Sequence, residues 1–439
     1  STLDRSSAAS DVYKRQVITG DTILGSGTTM LDHPDGTLTD YLASLRRLEA
    51  AGFTRQDPAQ AWDAQPGGHV LSRDGAVVAW WVPDALTGES GFRIVGAHTD
   101  SPGFALKPHP DRAAFGFAQA AVEVYGGPIV HSWFDRELTL AGRVTLADGS
   151  TRLVDTGPVA RIANLAIHLE RKNEFNPHPQ EHTSPILALE GDASVSELLA
   201  EAAGCEPDEI LGHTVITADT QPPRLFGAAG DLIAAGRLDN LSSVYCGLEA
   251  LRGAAGAAES GGDVLVLAAF NNEEVGSEST SGAAGPLLTE VVERTAAALG
   301  LDREETYRML ARSSMVSADA AHSVHPNFAG KHDPGHLPLI NRGPVTKINA
   351  KQRYASTDRT VAAWRRACRA AGVNDQVFVG NNAVPCGSTI GPISATRVGI
   401  PTVDVGIPLL SMHSARELAG AADVEALTRA LRAYLAAAE

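Results

Sequence analysis

The sequence predicts an α/β protein: a mostly parallel sheet flanked by helices and interrupted by a β-rich insert. Three observations lead there. Strand-length runs that are apolar throughout, such as "VLVLAAF", alternate with helical stretches such as "NLSSVYCGLEALRGA". Strands without a polar face belong in a parallel sheet covered on both sides. Between about residues 107 and 229 the alternation stops, and short strands joined by Gly and Asp turns take over. Finally, 439 residues exceed what a single hydrophobic core supports, so two domains are expected. The expected division is a discontinuous domain, 17–106 with 230–439, around the insert 107–229.

Residues 1–16, "STLDRSSAASDVYKRQ", start without methionine and carry no apolar periodicity, so they read as a non-native leader. The first helix falls on "LTDYLASLRRLEAAGF", where Leu38, Tyr41, Leu42, Leu45 and Leu48 keep helical spacing and Gly52 ends it. Strands follow at "AVVAWWVP" and "FRIVGAHTD". Within the insert, "AAVEVYGGPIV", "ELTLAGRVTLADGSTRLVDTG" and "HTSPILALEG" read as strands with little helix between them. Helix and strand then alternate again. Helices fall at "NLSSVYCGLEALRGA", "GPLLTEVVERTAAALG" and "RTVAAWRRACRAAG"; strands fall at "DVLVLAAF", "SSMVSAD" and "VGIPTVDVGIPLL". An amphipathic helix at "VEALTRALRAYLAAA" closes the chain.

The formal charge of −16 argues against nucleic acid and anionic membrane surfaces as partners. Cys205, Cys246, Cys368 and Cys386 stand far apart with no C-x-x-C pair, which offers neither a disulfide framework nor a thiolate zinc site. No apolar run approaches the roughly 20 residues of a bilayer span. A secretory signal is also missing, and cytoplasm is the default address.

In open α/β sheets, sites lie beyond the carboxyl ends of the strands. There the chain sets His98 and Asp100 after "FRIVGA", Glu273 and Glu274 after "VLVLAAFNN", and Asp319 after "MVSA". His413 follows "VDVGIPLLSM", and "AAGRL" delivers Asp239 just before a helix. Any one of these residues alone is more often structural than functional: H-x-D is a weak signal, and E-E weaker still. Together they form a metal-ligand inventory. Imidazoles mixed with carboxylates and no thiolates suit catalytic zinc, with manganese or cobalt as substitutes. Three carboxylates and two histidines exceed the needs of one tetrahedral ion, whereas two ions sharing a carboxylate would use them all. Water held between such ions becomes a nucleophile near neutral pH, and it needs a general base that is not itself a ligand. Adjacent residues at a strand end point in different directions, so Glu274 can bind metal while Glu273 faces the water. Asp100, two residues past His98, can accept the proton on the other ring nitrogen.

The segments "GAHTDSPGF", "GRLDN", "NNEEVGSES", "SADAAHSVHPNF", "GPVTKINAKQRYAS" and "SMHSARE" closely resemble the aspartyl aminopeptidases of the M18 metallopeptidase family, in order from about residue 29 to the C-terminus. The resemblance implies a zinc-peptidase-like catalytic domain that releases N-terminal Asp or Glu from peptides. Its ligands would be His98, Asp239, Glu274, Asp319 and His413, with Asp239 bridging two divalent ions; Glu273 would be the base and Asp100 the partner of His98. The β-rich insert would be a dimerisation domain within a homo-oligomer, a dodecamer built from dimers. "NLAIHLER" resembles the segment whose histidine, here His168, enters a neighbouring subunit's site and steadies the oxyanion. Between Ile167 and Leu169, however, such a histidine also fits a packed core.

An acidic substrate side chain entering a protein of charge −16 needs a local cation. Lys347 is the expected one, with Lys351 and Arg353 as alternatives and Tyr354 as a further substrate-binding candidate. His322 and His325 could sit behind Asp319; His131, His178, His182, His332 and His336 read as surface or packing residues. One departure from the family concerns the stretch before the first helix, where "LDHPDGTLTDYLA" has Thr39 in place of the expected histidine. Two other readings remain: a dimetal hydrolase preferring neutral or basic N-termini, and a non-catalytic assembly protein. The second conflicts with the intact ligand set and with Glu273.

Overall fold

The computed structural model describes residues 48–169, 171, 175–255 and 262–436. The expected leader 1–16, Thr39 and most of the first expected helix lie outside the described residues; Leu48, near that helix's end, is buried in the core.

Among the described residues, twenty strands form three sheets. The largest runs β1 (Phe53–Arg55), β2 (Gly67–Arg73), β3 (Ala76–Val82), β13 (Val264–Phe270), β4 (Phe92–His98), β14 (Ser314–Ala318), β18 (Thr402–Gly406), β16 (Val345–Ile348), β17 (Gln376–Val379). Five of its eight neighbour pairings are parallel. The exceptions are the hairpin β2–β3, the β3–β13 pairing that joins it to the sheet, and β16 against β18.

Alternation along the central strands separates two cores. Val95, Leu265, Leu267 and Val316 point to one face; Ile94, Val264, Val266 and Met315 point to the other. The first face is covered by α2 (Leu238–Ala255), α5 (Asp358–Ala370) and α7 (Ala421–Leu435), through Cys246, Leu251, Trp364, Leu427 and Leu431. The second is covered by α3 (Leu287–Ala298) and α6 (Ile390–Val398), through Leu287, Leu288, Val291 and Ile390, with Met309 of α4 (Arg303–Ala311). Burial on both faces explains why these strands read as apolar throughout.

The second sheet is antiparallel throughout, in the order β8 (Thr151–Asp155), β7 (Leu138–Leu146), β10 (Ile210–Asp219), β5 (Gly103–Ala114), β6 (Phe117–Tyr125), β9 (Ile186–Leu189). Its inner face packs Phe104, Leu140 and Val215, together with Trp133 of a short 3-10 turn, against α1 (Val195–Ala203), a helix with a Ser194–Glu197 capping box.

The third sheet runs β11 (Arg224–Phe226), β12 (Leu232–Ala235), β20 (Glu417–Gly420), β19 (Pro408–Leu410), β15 (Ala321–His322). The sequence reads "VGIPTVDVGIPLL" as one strand, but the chain changes sheets inside it, leaving β18 at Gly406 and entering β19 at Pro408. Gly406 marks the crossing because a Cβ there would stand 1.8 Å from the Asp319 carbonyl oxygen. That close approach brings the end of β14, and hence Asp319, against the segment leading to His413.

Candidate active site

The carboxyl ends of β4, β13 and β14 lie side by side in the large sheet, with Phe270 in register with His98. His98 ends β4 and is buried; its Nε2 lies 3.4 Å from Asp239 Oδ1 and 3.9 Å from Asp319 Oδ2. His413 arrives from the opposite side, its Nε2 3.4 Å from Asp239 Oδ2 and 3.4 Å from Glu274 Oε1. Each oxygen of Asp239 therefore faces a different imidazole, with Asp319 beside His98 and Glu274 beside His413. One potential ligand atom from each of His98, Asp239 and Glu274 also lies within 4.8 Å of the other two, a grouping able to hold a metal ion.

Each imidazole is turned by its second nitrogen. His98 Nδ1 faces the backbone carbonyl of Asp100 at 3.0 Å, with the Asp100 carboxylate at 3.5 Å. His413 Nδ1 faces the carbonyl of Gly127 at 2.9 Å. These contacts leave Nε2 of both rings aimed into the site. Asp100 is mainly occupied elsewhere: its Oδ1 accepts the Glu273 amide at 3.0 Å, and its Oδ2 accepts the Glu274 amide at 3.1 Å and the Tyr125 hydroxyl at 2.9 Å. It thus pins the short turn after β13, which Asn272 enters at φ 61°. Asn272 in turn donates to the Tyr125 oxygen at 3.0 Å.

The electrostatics of this cluster call for a cation. Burial, reinforced by the charge of Asp239, pushes the Glu274 carboxyl up to about 9. Burial also lifts Glu273 to about 7, with Asp319 and Asp239 adding to the effect and His98 opposing it. Asp319 is raised by burial, against the pull of Lys347. Asp239 is held low despite its burial, because the imidazoles of His413 and His98 beside it together outweigh desolvation. Two buried oxygens, Asp239 Oδ1 and Glu274 Oε1, have no hydrogen-bond partner among the described residues. Buried carboxylate oxygens without a donor are costly unless a metal occupies them. These side chains fit a divalent ion, with the nitrogen and oxygen donor set that zinc accepts.

The sequence pattern of the Aminopeptidase I zinc metalloprotease (M18) family matches residues 38–435. A probable M18 family aminopeptidase 2 from Streptomyces coelicolor is 47% identical over 403 residues, covering 90% of this chain and 93% of the relative. The chain belongs to the M18 aminopeptidase family. It is a metal-dependent aminopeptidase.

Two solved structures agree with this M18 fold. Ape4, in a complex with Nbr1, superposes with a TM-score of 0.88 at 32% identity, over 93% of this chain and 84% of that one. The yeast mApe1 dodecamer matches with a TM-score of 0.79 at 24% identity, over 97% and 95% of the two chains.

Other expected M18 site residues lie at varying distances from this centre. Lys347 of β16 is only 2% exposed, and its Nζ donates to Asp319 Oδ1 at 3.1 Å and to the Ala320 carbonyl at 2.9 Å. Tyr354 is buried with its ring 5.4 Å from that ammonium. Lys351 and Arg353 are exposed. His168 is exposed on a turn within the insert, between exposed Ile167 and Leu169, and stands outside the core of this chain. One residue at the centre was not singled out by sequence reasoning: Glu417, buried, which accepts the amides of both Asp239 and His413. Its only sequence signal was its place in "SMHSARE", four residues past His413.

Proposed function

We propose that this aminopeptidase releases N-terminal Asp or Glu from peptides and uses two divalent ions, zinc first and manganese or cobalt as substitutes. The observation that carries the reading is the division of Asp239, whose Oδ1 faces His98, itself beside Asp319, while its Oδ2 faces His413, itself beside Glu274. His98, Asp239, Glu274, Asp319 and His413 would hold the ions, which would supply a lowered proton affinity for a bound water and a positive site for the substrate's α-amine. Glu273, fixed by its amide on Asp100 and not needed as a ligand, takes the water's proton and passes it to the leaving amine.

Acidic specificity rests on Lys347. An ammonium has three N–H donors, and two are committed to Asp319 and Ala320; the third is proposed to meet the substrate carboxylate, with Tyr354 walling the pocket. One observation favours the neighbouring reading, a preference for neutral N-termini: Asp319 already balances the Lys347 charge. An ion on the other oxygen of Asp319 would draw its charge away from Lys347 and restore the cation, which is why the acidic preference is retained.

The antiparallel six-stranded sheet supports 107–229 as an inserted dimerisation domain, with 17–106 and 230–439 catalytic, although β5 already starts at Gly103. Leu165, Ile167 and Leu169 are 60%, 60% and 74% exposed around His168. That apolar surface supports burial against a second subunit, with His168 entering the neighbour's site. The dodecamer named for yeast mApe1 suggests the final assembly. Among the described residues no helix is long and apolar enough to cross a membrane; a cytoplasmic address is proposed on the sequence reading alone.

The test is hydrolysis of Asp-, Glu-, Leu- and Lys-nitroanilides by wild type and Glu273→Gln, before and after chelation. The reading expects an acidic preference, lost with chelator and reduced about 10²- to 10⁴-fold by the substitution. Metal-dependent activity on Leu or Lys alone would keep the mechanism and discard the substrate.

A further inference from the structure

We propose that Glu417 is a positioning residue that sets the spacing between Asp239 and His413, and thereby the affinity of the ion they share. The inference rests on the two-ion reading. Glu417 is 2% exposed, and both of its oxygens are engaged by ligand-bearing backbone: Oε2 accepts the Asp239 amide at 2.9 Å and Oε1 accepts the His413 amide at 2.7 Å.

The two segments meet through the third sheet. There β12 and β20 run antiparallel, and their last pair in this direction is Ala235 with Glu417. Asp239 lies four residues beyond Ala235, and His413 lies four residues before Glu417, so the pairing carries both ligands to the same end. Beyond the last pair the ladder stops, and the Glu417 side chain takes over the connection. Gly236 shows how closely the strands pass, since a Cβ there would stand 2.9 Å from the Ala415 carbonyl oxygen. His413 itself sits at φ 67° and Ser411 at φ 57°, in the left-handed region that ordinary side chains rarely adopt. A segment in that conformation needs an outside restraint, and the 2.7 Å bond from the His413 amide to Glu417 supplies one. The same carboxylate holds Asp239 just where the chain leaves β12 and has not yet entered the regular part of α2. One buried group thus fixes the separation of two side chains carried on neighbouring strands.

Glu417→Gln keeps the size of the side chain but places an NH₂ group against one of the two amides. Metal-stripped wild type and variant are titrated with zinc against a competing chelator, alone and in a His413→Ala background. The expectation is two zinc steps in wild type. In Glu417→Gln the step that His413→Ala abolishes weakens about tenfold or more, within the range seen when groups supporting a metal ligand are removed. On the His413→Ala background the second substitution adds little, because both act through one residue. Two unchanged zinc steps in Glu417→Gln would overturn the proposal, whereas a single step in wild type would instead refute the two-ion reading beneath it. Amide hydrogen exchange on metal-free wild type gives a test that does not depend on the variant folding. The amides of Asp239 and His413 are expected among the slowest outside the central strands, and rapid exchange at either would contradict the clamp.

Discussion

The two large sheets leave opposite kinds of group unsatisfied. At the carboxyl ends of β4, β13 and β14 the chain buries charge, placing Asp239, Asp319 and His98 out of water and lifting Glu273 and Glu274 well above ordinary carboxylates. Around the six-stranded sheet it exposes hydrocarbon: Leu165, Ile167, Leu169 and Leu211, with Phe115 at the tip of the β5–β6 hairpin. Burying a charge and exposing an apolar patch both oppose stability unless something outside the chain completes them. The difference teaches what each region awaits. Buried carboxylates call for cations, and an exposed apolar surface calls for another protein surface.

This contrast can be broken in order of expected effect. If the exposed segment serves a neighbouring active site, His168→Ala should lower kcat about 10²- to 10³-fold, the scale for removing one oxyanion donor, while light scattering shows the assembly intact. Unchanged kcat in an intact assembly would return that region to a purely structural role. A smaller effect is expected where the regions' chemistry meets the substrate. Lys347→Ala should cost aspartyl substrates about tenfold more kcat/KM than alanyl ones, the value of a single charge-assisted hydrogen bond. Equal losses would assign Lys347 to holding Asp319 alone, the contact it makes at 3.1 Å.

Much of the candidate site was legible because its residues stand at strand ends, a position the local pattern reveals. His98, Asp239, Glu274 and His413 do converge, and Asp319 joins them from β14. The covered parallel strands were legible for a similar reason, since a run such as "VLVLAAF" leaves no polar face to turn toward water. What stayed hidden depends on contacts between distant backbone groups. Glu417 binds two amides, and amides carry no residue signature. Asp100 stands beside His98 as expected, its carboxylate 3.5 Å from Nδ1, but its hold on the amides of Glu273 and Glu274 carries no sequence signal. Helix α6 was missed because "IGPISATRV" opens with Gly391 and Pro392 and shows little periodicity. Its start is dictated instead by Asp404, which accepts from the Thr389 cap and leaves no room for a Cβ at Gly391. The split of "VGIPTVDVGIPLL" between two sheets was equally invisible, because Gly406 is demanded by the carbonyl of Asp319, far away in sequence.

The most direct test of the central claim is the anomalous diffraction of zinc-loaded crystals, collected on both sides of the zinc absorption edge. The account predicts two peaks, each within bonding distance of a different oxygen of Asp239, one beside His98 and Asp319 and the other beside His413 and Glu274. A single fully occupied peak at saturating zinc, with one oxygen of Asp239 still without a ligand, would contradict it.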